Sequence, residues 1–325
     1  MRRHLAENGD SSFWAPVHQN KAAWASILQS TPLAKTCILA IVIGTRNDAW
    51  GGSEAPLHQR AARALSEGLQ AADEIELVDM NSPGKPMISL LPASVSHHRR
   101  LRSIVVSASQ CAAMRGGRSC GSGFHEVLAR NVGVLAALSA GCEAVASSNI
   151  DVIPPARHVL DELLHALPNW QHAYTLRRRE VKMSEALAVV TPTTLIEPWN
   201  ATVHIHGTMR LGMDLTNQRA APPSIITNCG DFQLARRGLF RRVAFAWALD
   251  GKRQYADTFI QASWLNRGVA IHVPDGIYVH HITHARSAVQ GLSTTARNPD
   301  PIYKVVGAGK ARRIANVARN GIRIP

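Results

Sequence analysis

FHEVLARNVGVLAALSAGCEAVASSNID, residues 124–151, changes its hydrophobic period once, and that change decides the architecture. Val127, Leu128, Val134, Leu135 and Leu138 recur at helical spacing and Gly141 suits a left-handed cap, so the pattern predicts a helix over residues 124–140. Residues 143–147 then read as a buried strand that delivers Asn149, Ile150 and Asp151 at its carboxyl end. A helix feeding a buried strand is the unit of an open α/β sheet, where ligands collect at the carboxyl ends of the strands.

Upstream, the chain alternates in the same way. A β-branched run over residues 37–44 is followed by a turn at 45–53, a helix over 56–71 and a strand over 75–78, the opening of a parallel sheet with right-handed crossovers. Another strand falls at 102–107, and the Gly-rich segment 116–123 reads as a loop. Downstream, Pro154 and Pro155 open a helix over 156–167, followed by a strand over 174–181. Strands at 201–206 and 224–227, helices at 233–246 and 256–267, and strands at 269–273 and 278–281 complete the prediction. Residues 1–36 read as an arm with one short helix at 22–28.

With 46% hydrophobic and 18% charged residues over 325 positions, the chain buries a substantial core and is not disordered as a whole. No run reaches the roughly 18 to 20 apolar residues of a spanning helix, and no apolar segment follows Arg2 and Arg3. A cytoplasmic location is the default expectation, with a Golgi or membrane-associated one if an anchor precedes this sequence. The net charge of +13 favours polyanionic partners, and seven basic residues against Asp300 between Arg297 and Arg323 concentrate it in the tail. Tyr303 is the one aromatic there, so stacking platforms for a single nucleic-acid strand are missing. Cys37, Cys111, Cys120, Cys142 and Cys229 are odd in number and scattered, with no CxxC pair, and are expected as reduced thiols without zinc.

Four constellations carry chemistry. Strand alternation places Asn149 and Asp151 on one side, where Asp151 would suit Mg²⁺ or Mn²⁺; an Asx turn ahead of Pro154 explains the same residues. His281 and His284 converge on a cation if the chain turns between them, although His280 leaves the register open and two solvated histidines remain the alternative. His204 and His206 form a weaker pair. Asp231 and Asp257 each precede a helical pattern, where an aspartate serves as a general base or simply as an N-cap. Thr45, Arg46, Asn47, Asp48 and Asp79 lie at strand ends fit to hold a nucleobase and ribose, while matching neither the GxGxxG nor the P-loop pattern.

Taken in order, these features resemble the nucleotide-sugar glycosyltransferases of the A-type fold: family 2-like, with a C-terminal half similar to β-1,4-galactosyltransferases. Residues 41–48 resemble the opening strand and donor loop, and Glu76-Leu77-Val78-Asp79 the second strand, whose terminal acid meets uridine or its ribose. Arg130-Asn131-Val132-Gly133, then Ala140-Gly141, then Asn149-Ile150-Asp151 resemble the R-N-x-G helix, A-G stop and D-x-D motif, with Asn149 in place of the first acid. His281 and His284, followed by Arg286, resemble the family's late metal-binding pair. Gly230-Asp231-Phe232 stands where a Gly-rich segment lines the acceptor site, and Tyr255-Ala256-Asp257 where an E-D pair supplies the base, Ala256 replacing the Glu.

The resemblance implies an α/β fold with a mixed, mostly parallel central sheet flanked by helices. It implies one catalytic domain over 37–295, divided into a nucleotide-sugar half at 37–151 and an acceptor half at 152–295, followed by a basic tail at 296–325. The implied reaction moves a sugar from a UDP-sugar or similar donor to an acceptor hydroxyl with inversion. Asp257 would be the base with Asp231 beside it, and Thr45, Arg46, Asn47, Asp79, Arg130, Asn131 and Asn149 would hold the donor. Asp151, His281 and His284 would hold Mn²⁺ or Mg²⁺. The acceptor would be a carbohydrate, lipid-linked or protein hydroxyl; an anionic membrane surface would suit the tail, and no nucleic-acid partner is expected. Two other readings stay open: an inactive fold member acting as a binding module, which Asn149 and Ala256 favour, and a basic nucleic-acid-binding protein, which the charge favours.

Overall fold

The computed structural model describes residues 17, 19–28, 36–47, 56–120, 124–183, 231–245, 260–261, 264, 269–272, 274 and 277–282. The strands predicted at 201–206 and 224–227, with His204 and His206, lie outside them, as do Asp48, Cys229, Asp257, His284 and the tail.

Among the described residues, helix α1 (Lys21–Leu28) precedes β1 (Leu39–Thr45), α2 (Leu57–Ala71), β2 (Glu74–Met80), β3 (Leu101–Val106), α3 (Ala108–Met114), α4 (Glu126–Ser139) and β4 (Ala144–Ser148). There follow β5 (Val152–Ile153), α5 (Arg157–Ala166), β6 (His172–Thr175), β7 (Arg177–Val181), β8 (Phe232–Arg236), α6 (Arg237–Arg242), β9 (Ala270–His272) and β10 (Tyr278–Ile282). The main sheet has seven strands in the order β3-β2-β1-β4-β8-β6-β9. Its first four are mutually parallel, β8 runs antiparallel to β4 and β6, and β9 is parallel to β6. A second sheet, β5-β10-β7, pairs β10 antiparallel to β5 and parallel to β7. The expected α/β class with a mixed, mostly parallel sheet flanked by helices is the fold the chain adopts.

The core explains the unbroken apolar runs. Leu39, Ile41 and Ile43 pack on one face of the sheet with Leu65 and Leu69 of α2 and Leu160 and Leu163 of α5. Ala40 and Val42 pack on the other with Val132, Leu135 and Ala136 of α4 and Trp24 of α1. A parallel strand covered on both faces needs apolar residues at every position, which is why alternation is absent from it. At Gly133 a Cβ would stand 2.3 Å from Val42 Cγ1, so this glycine lets α4 lie directly on β1.

Three expectations are corrected. The helix predicted over 233–246 is strand β8 followed by the single short helix α6. Pairing between β4 and β6, with Phe232, Leu234 and Ala235 buried, overrides the helical spacing of that stretch. The strand predicted over 174–181 is broken at Leu176, β6 entering the main sheet and β7 the second one. The cysteines expected as reduced thiols form Cys37–Cys142 and Cys111–Cys120 disulfides, with Cα separations of 4.4 Å and 5.9 Å. Leu39 of β1 sits opposite Ala144 of β4, so the residues two before each strand are neighbours too. Sequence spacing carries no information about that register.

Candidate active site at the carboxyl end of β4

In the main sheet, β1 is flanked by β2 on one side and β4 on the other, so the strand order reverses beside β1 and β4. Such a switch point opens a crevice at the carboxyl ends of the strands. Thr45 ends β1 there, and Ser148 ends β4.

Beyond Ser148 the chain does not continue as strand: Ile150 and Asp151 form a turn that starts β5 in the second sheet. Asn149 and Asp151 therefore take separate partners rather than facing one crevice together, which corrects the expectation from alternation. The Asn149 Oδ1 accepts a hydrogen bond from Arg130 Nη2 at 2.6 Å, and its Nδ2 donates to Asp231 Oδ1 at 2.7 Å. Arg178 Nη1 donates to the other Asp231 oxygen at 2.8 Å. Arg130 also donates from Nε to Glu126 Oε1 at 2.9 Å and from Nη1 to Ser147, with its guanidinium 5.5 Å from the Phe245 ring centre. A chain of charge-assisted bonds thus runs Glu126, Arg130, Asn149, Asp231, Arg178. The antiparallel pairing of Ser148 with Phe232 brings Asp231 beside Asn149.

Asp151, with 5% of its surface exposed, faces a different pair. Its Oδ1 lies 3.7 Å from His281 Nε2 and its Oδ2 lies 3.5 Å from Arg60 Nε. The second sheet makes this meeting: His281 sits opposite Val152 in the antiparallel β5–β10 pair, and Ile282 N donates to Asp151 O at 2.9 Å. Of the two adjacent imidazoles, His281 is the one that faces Asp151. His280 is only partly buried, and burial, with Arg179 adding to it, holds its imidazole below the usual range. Arg60 of α2 is wholly buried, and burial lowers its pKa while Asp151 opposes that shift.

On the β1–β2 side, loops are knitted to one another. Arg46 Nε donates to Asn81 O at 2.9 Å, Asn47 N to Ser82 Oγ at 2.8 Å, and Asn47 Nδ2 to Lys85 O at 2.9 Å. Asp79 has no exposed surface; Ser82 Oγ and Met87 N donate to its two oxygens, and burial pushes its carboxyl up against the pull of those bonds. Asp79 therefore organises the loop over 81–87 and presents no face to a ribose. Asn131 is likewise enclosed, its amide exchanging bonds with Phe245 N at 2.9 Å and Phe245 O at 3.3 Å. Thr45 differs: its hydroxyl is buried and has no hydrogen-bond partner among the described residues.

The structure thus brings Asn149, Arg130 and Asp231 together, brings Asp151 to His281, and leaves Asp79 and Asn131 in structural roles. Sequence reading missed Arg60 and Arg178. Arg60 shares an amphipathic helix with Arg63, and arginines in such a helix read as solvated positions, so no local signal announced its burial.

No protein-family model matches this chain, and no curated protein matches it. Among solved structures, residues 1–349 of TarS from S. aureus align at a TM-score of 0.44 and 12% identity, over 88% of this chain and 72% of that one. The same protein in complex with UDP-GlcNAc aligns at 0.46 and 15%, over 89% and 68%. GalNAc-T7 with UDP, GalNAc and Mn²⁺ aligns at 0.45 and 11%, over 87% of this chain and 48% of that one. At these identities the likeness concerns the course of the backbone, and a functional reading has to stand on the residues of the site.

Proposed function

We propose that this chain transfers a sugar from a nucleotide-diphosphate donor, a UDP-sugar by the resemblance of its motifs, to an acceptor hydroxyl with inversion. The observation that supports this most is the convergence of Asp151 and His281 at 3.7 Å, from distant parts of the chain, beside the switch point of a parallel sheet. Two donors each about 2.1 Å from one ion lie roughly 3.0 to 3.4 Å apart, so a shift of a few tenths of an ångström lets Asp151 Oδ1 and His281 Nε2 share a cation. The donor set, one carboxylate oxygen and one imidazole, fits Mn²⁺ better than Mg²⁺. Such an ion would supply charge neutralisation to the leaving diphosphate. The orphan hydroxyl of Thr45 is a group that a bound donor would satisfy.

In this reading the acceptor oxygen attacks the anomeric carbon as the bond to the phosphate oxygen breaks, and the acceptor proton passes to Asp257, the base assigned by resemblance. The nucleoside diphosphate leaves with the bonding pair. Asn149, held between Arg130 and Asp231, fixes the turn that carries Asp151. Arg178 holds Asp231 from the second sheet, and His284 would complete the cation site. The acceptor class, carbohydrate, lipid-linked or protein, follows from the same resemblance, as does contact of the basic tail with an anionic membrane. A second reading has its own support: Arg60 already neutralises Asp151, and Asn149 is tied through both its oxygen and its nitrogen, which suits an inactive binding module whose Arg60–Asp151–His281 cluster is purely structural.

Nucleoside diphosphate release from UDP-sugars, measured with Mn²⁺ and with EDTA, tests the proposal. Release that needs Mn²⁺ and disappears in Asp151→Asn supports it. Donor binding without release in any metal supports the binding module, and neither binding nor release overturns both.

A further inference from the structure

A second cluster of charge lies at the other end of β4 and β8. Arg236, Arg237, Arg241 and Arg242 line a cleft of about 580 Å³ together with Glu143, Trp170 and Gly238. Strand β8 separates this cleft from Asp231, a span of roughly 17 Å at the usual rise per residue. Four arginines and one glutamate line this space, an excess of positive charge that an anion relieves.

The cleft is built rather than incidental. Arg236 donates from Nε to Leu167 O at 2.9 Å and from Nη2 to Leu164 O at 3.0 Å, so its head is fixed on the end of α5. Arg242 donates to Gly238 O at 2.7 Å and lies 4.4 Å from the centre of the Trp170 ring, which immobilises it as well. Gly238 faces Trp170 so closely that a Cβ there would come within 3.0 Å of Trp170 Cβ. Arg237 is exposed, and its side chain has no hydrogen bond or ion pair among the described residues. Two immobilised guanidinium groups, whose remaining N–H donors are not used in these bonds, stand beside a free one and supply charge-assisted donors suited to a phosphate group. Trp170 already carries Arg242 on its ring, so it supports a cation rather than offering a platform to a nucleobase.

We propose that this cleft is a binding site for a phosphate-bearing anion, a phosphomonoester or diphosphate, distinct from the donor crevice at the carboxyl end of β4. The phosphate belongs either to a small soluble compound or to a lipid headgroup, and the two sources are separable. The full chain is titrated calorimetrically with inorganic pyrophosphate, and sedimented with phosphatidylcholine vesicles with and without phosphatidic acid. EDTA is present throughout, which removes any metal-dependent donor binding. Binding of pyrophosphate assigns a soluble ligand, and binding of phosphatidic acid vesicles alone assigns a headgroup. In either case Arg237→Glu, a surface change that spares the fixed arginines, should weaken binding about tenfold or more. Gly238→Ala should weaken it by crowding the wall at Trp170. No binding in either format, or equal binding by Arg237→Glu, overturns the proposal.

Discussion

At the scale of single residues, the site depends on side chains whose surroundings rather than identities set their roles. Asp151 and Arg60 show this: the guanidinium is wholly buried, and the carboxylate beside it nearly so. Removing one partner of a buried ion pair leaves the other uncompensated, so Arg60→Met should destabilise the fold by about 3 kcal/mol in urea denaturation. The same substitution frees Asp151 Oδ2, and Mn²⁺ should then stabilise the variant more than it does the parent chain; equal responses to Mn²⁺ would speak for a structural cluster. Gly133 is a second case, because its Cβ would meet the branched Val42 on a strand with no room to retreat. Gly133→Ala should cost about 2 kcal/mol through overpacking, read as a lowered denaturation midpoint. That Asp151 lies just beyond a buried sheet strand was legible in the sequence, whereas a link to a histidine near 281 entered only through the family resemblance, as shared ligation of a cation. Arg60 was not legible, since burial of a helical arginine is decided by what packs over it.

At the scale of elements, two strands far apart in the main sheet, β2 and β9, hold buried titratable groups of opposite tendency. Glu76 of β2 is bonded through both oxygens to Arg102, its register partner on β3, yet burial pushes its carboxyl from 4.5 to about 7 against the pull of that arginine. Between those values the folded protein keeps a proton that the unfolded chain releases, so this group's contribution falls as pH rises through the window and is level above it. His272 of β9 behaves inversely. Burial, reinforced by His172 at 2.9 Å, lowers its imidazole from 6.5 to about 4, so its contribution is lost as pH falls from 6.5 toward 4. The two slopes oppose one another from about pH 4.5 to 6.5. Glu76→Gln removes the falling limb, and the stability of that variant relative to the parent should improve by about 3 kcal/mol on going from pH 4.5 to 7. Chemical denaturation across that range checks it, and a pH-independent difference would show that Glu76 titrates normally. Element identity was readable where one element fills its own period, as in α4 and β1. It failed at β8, because a short strand inserted between two others is defined by partners that lie far away in sequence.

At the scale of the whole molecule, the parallel β1–β4 pair joins stretches of chain far apart in sequence, and the Cys37–Cys142 bond sits at its base. Its partners are 105 residues apart, whereas Cys111 and Cys120 are separated by nine. A cross-link restricts the unfolded chain in proportion to the logarithm of the loop it closes, which gives about 4 to 5 kcal/mol for the long loop and about 2 to 3 kcal/mol for the short one. The register that creates the long loop follows from Leu39 pairing with Ala144, a fact of the assembled sheet that no local pattern encodes. Replacing Cys37 and Cys142 together by alanine should therefore lower the urea midpoint further than replacing Cys111 and Cys120. All four sulfurs are buried, so the loss of packing on truncation is comparable and the difference reports the loop term. Adding reductant to the unmodified chain should cost at least as much as the Cys37→Ala/Cys142→Ala pair and should no longer affect a chain lacking all four. If the short-loop pair proves the more damaging, chain entropy is not what these cross-links supply, and the Cys111–Cys120 link acts chiefly by holding the segment before α4 in its native place.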